Sequence, residues 1–567
     1  MIQALTDKAN SVLQQQYSMT DLAVTWSTPR ELSFGDLSTS VALQAASRAK
    51  KPPRAVAESI VNALRDVPGV EKADVAGGGY VNVWLAPPVL FVALGEVEAS
   101  TRPVPVRKKD APVIIEYSQP NIAKPLGVHH ILGTVIGQSV SNLYEYLGYP
   151  VIRWNYIGDW GTQFGKLAYA MQTWGKGKNV REMTLSGLLE FYVQFHEEAE
   201  KNPSLEEEAR NMFLALERGD EKLRAFWQDV VSVTKSSLKR VYDRLHVAFD
   251  LDLGESFYED KMGPILELGK KKGVFKQGKE GALIAEFPEE TNLPPYLVQK
   301  GDGATLYSTR DIAQMRYRMD TYHPAEILIF TDVAQKLHFE QLVATCGQLG
   351  WTLPAFENVL FGRMRFAEKS MSTRKGNILN LEDVLDEAVA RAERVIAAHE
   401  NIQTDDQKEL AEMMGIGALV YGVLSQNRKM DIVFDWDKML SFEGNSAPYL
   451  QYTHARGLSV LRKAGADSST ARFPSTVDAL TDAERLLIRT LLQYPSVLED
   501  ARANRMPHKL ANYLYQLCQD YNAFYNVEPI LKAEGASREL RIALTAFSVR
   551  VLKSGARILT LQLPDRM

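Results

Sequence analysis

From Val113 onward the chain repeats one pattern: short apolar runs, VIIEY, VIRWNYI and EILIF, each followed by a stretch of helical periodicity. Runs this short, bounded by helical segments, read as strands buried on both faces. A helix between two strands carries the chain back across the sheet, so the strands pair in parallel. The pattern predicts an α/β core with a Rossmann-like parallel sheet, helices on its faces, and ligands beyond the carboxyl ends of the strands.

A chain of 567 residues exceeds what one hydrophobic core supports, so further domains are expected. Residues 1–108 read as an α+β unit. Helical AVAESIVNALRDV precedes GGGYVNVWL, where Val81, Val83 and Leu85 alternate with Asn82 and Trp84. The segment TRPVPVRKKDAP, with its three prolines and basic residues, suits an extended linker and marks a boundary. The sheet domain then spans 109–384, interrupted at about 175–245 by long charged helices. From about Leu381 the sequence turns almost wholly helical, beginning LEDVLDEAVARAERVIAAHE, and 385–567 reads as an all-helical domain.

Several function classes are disfavoured. Cys346 and Cys518 are the only cysteines and have no paired spacing, so neither a disulfide framework nor a cysteine zinc site is expected. The opening MIQALTDKANSVLQQQYS has no basic region followed by an apolar run, and no stretch approaches the roughly 18–20 apolar residues of a membrane span. A cytoplasmic location without membrane partners is the expectation. A formal charge of −5 argues against indiscriminate nucleic-acid binding. Its distribution is uneven, because residues 501–567 carry ten Lys or Arg against five Asp or Glu, whereas 197–208, EEAEKNPSLEEE, is acidic. The basic C-terminal region is suited to facing phosphates.

In EYSQPNIAKPLGVHHILGTVIG, from Glu116 to Gly137, a strand runs into a proline-containing loop and then a helix. Ile131, Val135, Ile136, Val140, Leu143 and Leu147 would form its buried face. Free amides and the dipole at a helix start favour phosphate. His129 and His130 sit at that start. Taken alone, adjacent histidines leave surface and ligand roles both open.

PNIAKP followed by a tetrad ending in histidine resembles the class I aminoacyl-tRNA synthetases, specifically their arginine branch. The resemblance continues through NYIGDWGTQFG (155–165), GES (254–256), LYSTRDIA (306–313), VAQKLHF (333–339) and MSTRKGN (371–377). APYLQYTHAR (447–456), PHKLANYLYQLCQDYNAFY (507–525) and the final PDRM are similar to that family's anticodon-binding domain and usual ending. It covers essentially the whole chain.

The resemblance implies formation of arginyl-adenylate from L-arginine and ATP with Mg2+, then transfer of arginine to the terminal ribose of tRNA(Arg), by an enzyme expected to be a monomer. Glu255, Tyr307 and Asp311 would hold the substrate's guanidinium, a fork of donors that needs several acceptors. Asn121 and Gln335 would hold its α-amino and carboxylate ends. Glu116 has two readings, a contact to the amino group or a strand terminus without ligand.

Pro120, Gly127, His129, His130, Gly158 and Asp159, with Met371, Ser372, Thr373, Arg374 and Lys375, would surround ATP, and His130, Lys124 and His129 would act on its phosphates. Both signatures are irregular. Gly127 replaces the first histidine of the HIGH tetrad and His129 its glycine, while Ser370–Arg374 lacks the lysines of KMSKS. Lys124 reads either as a substitute cation or as a surface lysine. For tRNA, Tyr449, Tyr452, Arg456, Tyr525 and Met567 are candidates, and Tyr513 and Tyr521 either stack on bases or pack in the core. The N-terminal unit resembles the family's module for the tRNA elbow. The alternative reading is a catalytically impaired tRNA-binding paralogue.

Overall fold

The computed structural model describes residues 1–29, 31–366, 380–399, 402, 404 and 406–567. At its centre is a four-stranded parallel sheet in the order Ala355–Phe361, Glu326–Asp332, Val113–Glu116, Val151–Trp154. The central strand Val113–Glu116 is buried at all four positions, as its uninterrupted apolar run requires. From it the chain crosses to one edge, and from Glu326–Asp332 to the other. The carboxyl ends of these two neighbours therefore flank the topological switch point, where a crevice opens.

The crossover helix His130–Tyr146 departs from expectation. It is buried on nearly every side, including Thr134, Gln138, Ser139 and Ser141, and not along one apolar face. Leu147, expected on that face, is the residue that ends the helix. One side of the helix meets the sheet, while the other meets C-terminal helices Gln407–Leu424, Tyr494–Asn504 and Gly535–Ile558. The helical region thus packs against the element that opens the site.

Within the first hundred residues a three-stranded antiparallel sheet, Leu37–Thr39, Tyr80–Leu85 and Val70–Ala76, packs with helices Ile2–Tyr17, Val41–Ala49 and Pro53–Leu64. Asn82, read as an outward residue, is buried because its Oδ1 accepts a 2.7 Å bond from Ser38 Oγ. Arg485 ties this unit to the helical region through Asp36 Oδ2 and Glu71 Oε2, both at 2.6 Å.

Helices Leu185–Lys201, Ser204–Glu217 and Glu221–Arg244 follow the edge strand and form a core of their own with Thr162–Trp174. A small antiparallel sheet, Phe275–Gln277, Leu283–Ala285 and Tyr296–Gln299, precedes helix Tyr307–Tyr322. Ser308 Oγ bonds Leu297 O at 2.5 Å and Thr309 bonds Val298 O, so the sheet's last strand anchors the start of that helix.

Candidate active site

Two loops meet at the crevice. The loop after Val113–Glu116 and the loop after Val151–Trp154 are zipped together: Gly158 N donates to Pro120 O at 2.9 Å, and Ile122 N donates to Gly158 O at 3.1 Å. A Cβ on Gly158 would lie 2.3 Å from Asn121 Oδ1, so a larger residue there would push the Asn121 side chain aside. Asn121 itself is exposed beside it.

The first loop also carries three non-glycine residues at positive φ: Ser118 at 74°, Gln119 at 54° and Ala123 at 63°. Such backbone persists only where its surroundings over-determine it. The long helix Glu221–Arg244 supplies the bracing, because Tyr242 OH bonds Ser118 Oγ at 2.8 Å and Thr234 Oγ1 accepts from Ala123 N at 3.2 Å. The charged helices thus hold the loop in shape. Glu116, at the strand's end, is only 2 % exposed and pairs with Arg318, which is completely buried. Its carboxylate also accepts from Gln119 Nε2 at 2.6 Å and Gln314 Nε2 at 3.3 Å.

On the helix side, amides of His130, Ile131 and Leu132 donate to the carbonyls of Gly127, Val128 and His129 in a tight turn. Those three amides, expected to be free for phosphate, are thus already engaged, and the dipole and side chains carry more of any anion binding there. The buried Gly127 also bridges Asn380, and Leu381 N donates to Leu126 O at 2.8 Å, docking helix Leu381–Ala398 onto the tetrad. His130 Nδ1 lies 3.1 Å from Gly127 O, which makes it the protonated nitrogen of the neutral ring. Burial, and next the neighbouring His129, push His130 down to about 4. The rings of these histidines lie 4.0 Å apart, with His129 exposed. Lys124 rests its ammonium over the Tyr192 ring at 4.7 Å. Met371, Ser372, Thr373, Arg374 and Lys375 lie outside the described residues.

An acidic cluster occupies the other side of the crevice. Asp159, expected at ATP, bonds Ser256 through its carboxylate: Oδ1 accepts Ser256 N at 2.8 Å and Oδ2 accepts Ser256 Oγ at 2.6 Å. Glu255 N donates to Ile157 O at 3.0 Å, and a Cβ on Gly254 would lie 2.4 Å from that carbonyl oxygen. This tight turn aims Glu255 inward. Burial raises the Glu255 carboxyl to about 7, the Arg310 guanidinium opposes the rise, and Asp311 and Asp159 add to it. Arg310 Nη1 stands 3.6 Å from Glu255 Oε2.

Tyr307 and Asp311, one helical turn apart, share a face at the start of Tyr307–Tyr322. Tyr307 is 58 % exposed, whereas Asp311 is buried and its Oδ2 lies 2.6 Å from His338 Nε2. Gln335 is exposed in the turn after Glu326–Asp332, immediately before helix Lys336–Gln348. Sequence reasoning missed His338, Arg310 and Tyr156. The Tyr156 hydroxyl is shielded from solvent and has no hydrogen-bond partner among the described residues, and after burial the Asp311 and Glu255 charges hold it well above the ordinary phenol range. Both His338 and Tyr156 lie inside the quoted motifs VAQKLHF and NYIGDWGTQFG, which was the available signal.

Four of the five tRNA candidates line one open cleft of about 1210 Å³: Tyr452, Arg456, Tyr525 and Met567. The Arg456 guanidinium sits over the rings of Tyr452 and Tyr525 at 4.8 and 5.1 Å. Tyr449 is half-buried and accepts from Asn522 Nδ2 at 3.1 Å. Tyr513 and Tyr521 are buried in the helical core and are removed from the stacking candidates.

Three families match in succession: "Arginyl tRNA synthetase N terminal domain" over residues 1–85, "tRNA synthetases class I (R), catalytic domain" over 98–436, and "DALR anticodon binding domain" over 450–567. The arginine–tRNA ligase of Fusobacterium nucleatum is 37 % identical over 537 residues, 94 % of each chain. That of Pseudoalteromonas atlantica is 36 % identical over 550 residues, 95 % of this chain and 94 % of its own. The Thermus thermophilus arginyl-tRNA synthetase structure superposes with a TM-score of 0.79 at 26 % identity, covering all of both chains. The Plasmodium falciparum enzyme, at 21 % identity and a TM-score of 0.80 over 100 % of this chain and 99 % of its own, shares the fold.

Proposed function

We infer the division of labour within the site from one premise: the chain belongs to the arginyl-tRNA synthetases, the class I arginine–tRNA ligases. It activates L-arginine with ATP to arginyl-adenylate and pyrophosphate, then transfers arginine to the 3′-terminal ribose of tRNA(Arg), releasing AMP. The observation that carries the assignment of residues is the cluster of Glu255 and Asp311 beneath Tyr307. Two carboxylates and a phenol oxygen offer the spread of acceptors that a five-donor planar cation requires. Asp159 acts as a positioning residue for Glu255 through Ser256.

Asn121 and Gln335 take the amino and carboxylate ends, aiming one carboxylate oxygen at the α-phosphate. That oxygen attacks phosphorus, pyrophosphate leaves, and a tRNA ribose hydroxyl later attacks the carbonyl to displace AMP. Positioning carries most of the catalysis, because no covalent enzyme intermediate is needed. Gly158, Pro120 and the Gly127–His130 tetrad form the ATP side. Among the described residues no group of three His, Cys, Asp or Glu side chains is placed to hold a metal ion. Magnesium would enter with ATP as the MgATP substrate, supplying charge neutralisation at the phosphates.

The arginine assignment is tested by pH. Guanidinium binds the ionised Glu255, so below about pH 7 arginine must displace a proton. KM for arginine is expected to fall about tenfold between about pH 6 and about pH 8 and then to level. Glu255→Gln should flatten this dependence, and a wild-type profile without it would remove Glu255 from the pocket. The same raised group favours the empty fold fully below its unfolded value of 4.5, a contribution lost as pH rises through about 7.

Lys124 leaves the Tyr192 ring to meet the phosphates when ATP binds. Lys124→Ala should lower adenylate formation about 10- to 100-fold while leaving arginine affinity within about twofold. Equal losses would assign it another role. For tRNA, Arg456 and the two tyrosines beneath it receive anticodon bases or backbone. Arg456→Ala should weaken tRNA binding about tenfold and lower its salt dependence by about one ion, measured by filter binding across salt concentrations.

The N-terminal unit, 1–108, contacts the tRNA elbow, 109–384 carries the chemistry with its insertion at about 175–245, and 385–567 reads the anticodon. No helix among the described residues is long and apolar enough to cross a membrane. A cytoplasmic monomer completes the proposal.

A further inference from the structure

Asp311 does not stand alone in its pocket. His338, from helix Lys336–Gln348, places Nε2 2.6 Å from Asp311 Oδ2, and on its far side Nδ1 lies 3.1 Å from the hydroxyl of Tyr296. Tyr296 is 4 % exposed and opens the last strand of the small antiparallel sheet. The His338 ring also packs against the Tyr307 ring, with centroids 5.0 Å apart. One imidazole therefore touches both proposed guanidinium acceptors on helix Tyr307–Tyr322.

The hydrogen-bond directions follow from the partners. Ionised Asp311 only accepts, so Nε2 carries the proton. Nδ1, on the far side of the ring, is paired with the Tyr296 hydroxyl, which donates its O–H when that nitrogen is unprotonated. Burial, and next the Asp311 charge, hold the Tyr296 phenol far above its ordinary range, which keeps that proton in place. The arrangement gives Asp311 Oδ2 a fixed donor from a neighbouring helix. Oδ1 has no hydrogen bond among the described residues. A guanidinium is planar and needs its acceptor in a set orientation; an ammonium is a point charge and does not.

We propose that His338, oriented by Tyr296, is a positioning residue that holds the Asp311 carboxylate for the guanidinium of arginine and so contributes to its selection over lysine. The inference rests on the reading of Asp311 as a guanidinium ligand. Tyr296 and His338 lie 42 positions apart in sequence, joined by the fold alone. In this account the small sheet Phe275–Gln299 serves specificity, because its last strand delivers Tyr296.

The test is steady-state aminoacylation by the full-length enzyme with saturating tRNA, varying arginine and ATP separately. His338→Leu should raise KM for arginine about thirtyfold, with KM for ATP within about twofold. His338→Gln, whose amide can still donate to Asp311, should restore KM to within about fivefold of wild type. Tyr296→Phe, which keeps the ring and removes only the O–H, should raise it about fivefold. Competition by lysine should strengthen relative to arginine in His338→Leu. If His338→Leu does not fold, Tyr296→Phe and His338→Gln still decide the matter. The inference fails if Tyr296→Phe and His338→Leu leave KM for arginine unchanged, or raise both KM values alike. Asp311→Asn separates the two levels. If it leaves KM for arginine unchanged, the reading of the pocket falls; if it raises KM while the His338 and Tyr296 variants do not, the positioning role alone falls.

Discussion

Replacing Asp311 with alanine is expected to lower kcat/KM for arginine about 10³-fold, with most of the loss in KM for arginine and KM for ATP within about threefold. Asp311 is 8 % exposed, so the substrate cation that meets it has left water behind. Without the carboxylate the guanidinium remains buried and unpaired on that side, and His338 Nε2–H loses its acceptor as well. Two polar groups are stranded by one substitution. Tyr307 supplies the comparison: at 58 % exposure its hydroxyl competes with solvent, and Tyr307→Phe should cost only about tenfold. Steady-state aminoacylation with varied arginine measures both. Similar small losses in the two variants would place the guanidinium elsewhere.

The second large effect concerns stability. Arg318→Met should lower the unfolding free energy by about 3–5 kcal/mol in urea, because it leaves Glu116 ionised and unpaired under the sheet. Arg318 is wholly buried, Glu116 is 2 % exposed, and the guanidinium also lies over the Trp154 ring at 4.3 Å. The double variant Glu116→Leu, Arg318→Met removes both charges and should recover most of the loss. It also separates the two readings of Glu116. Retained arginine affinity in the double variant makes the residue a buried ion-pair partner, whereas lost affinity with recovered stability makes it a contact to the substrate's amino group.

These residues show where sequence reasoning reached and where it stopped. The strand Val113–Glu116 was legible because an apolar run bounded by helices has few other structures open to it. The helix His130–Tyr146 was legible as a helix, yet its burial was not. Its polar positions Thr134, Gln138 and Ser141 suggest a wet side, yet all three are buried: Thr134 Oγ1 donates to Ser118 Oγ at 3.0 Å, and Gln138 Oε1 accepts from Tyr117 OH at 2.8 Å and Ala248 N at 2.9 Å.

Glu255, Tyr307 and Asp311 could be named from motifs, but the bond from Asp311 to His338 spans 27 positions and two elements. No local pattern encodes such a contact. The bond from Ser256 to Asp159 was hidden for the same reason, since the two are 97 positions apart. The positive φ at Ser118, Gln119 and Ala123 was equally hidden. None is glycine or asparagine, and the conformation comes from bracing by Thr234 and Tyr242.

The irregular tetrad Gly127–His130 remains the least orthodox part of the ATP side, and the geometry gives it a definite state. His130, pushed down to about 4 and donating Nδ1–H to Gly127 O, is neutral at physiological pH in the empty enzyme. It presents no charge to phosphate until a polyanion arrives to favour its protonated form.

Whether this pocket selects arginine for ligation to tRNA is decided by charging total tRNA with each standard amino acid singly, with ATP and magnesium. Arginine alone should be esterified, and only in the presence of ATP. Charging with any other amino acid would contradict the assignment of Glu255, Tyr307 and Asp311, and tRNA binding without any arginine charging would make the chain a catalytically impaired paralogue.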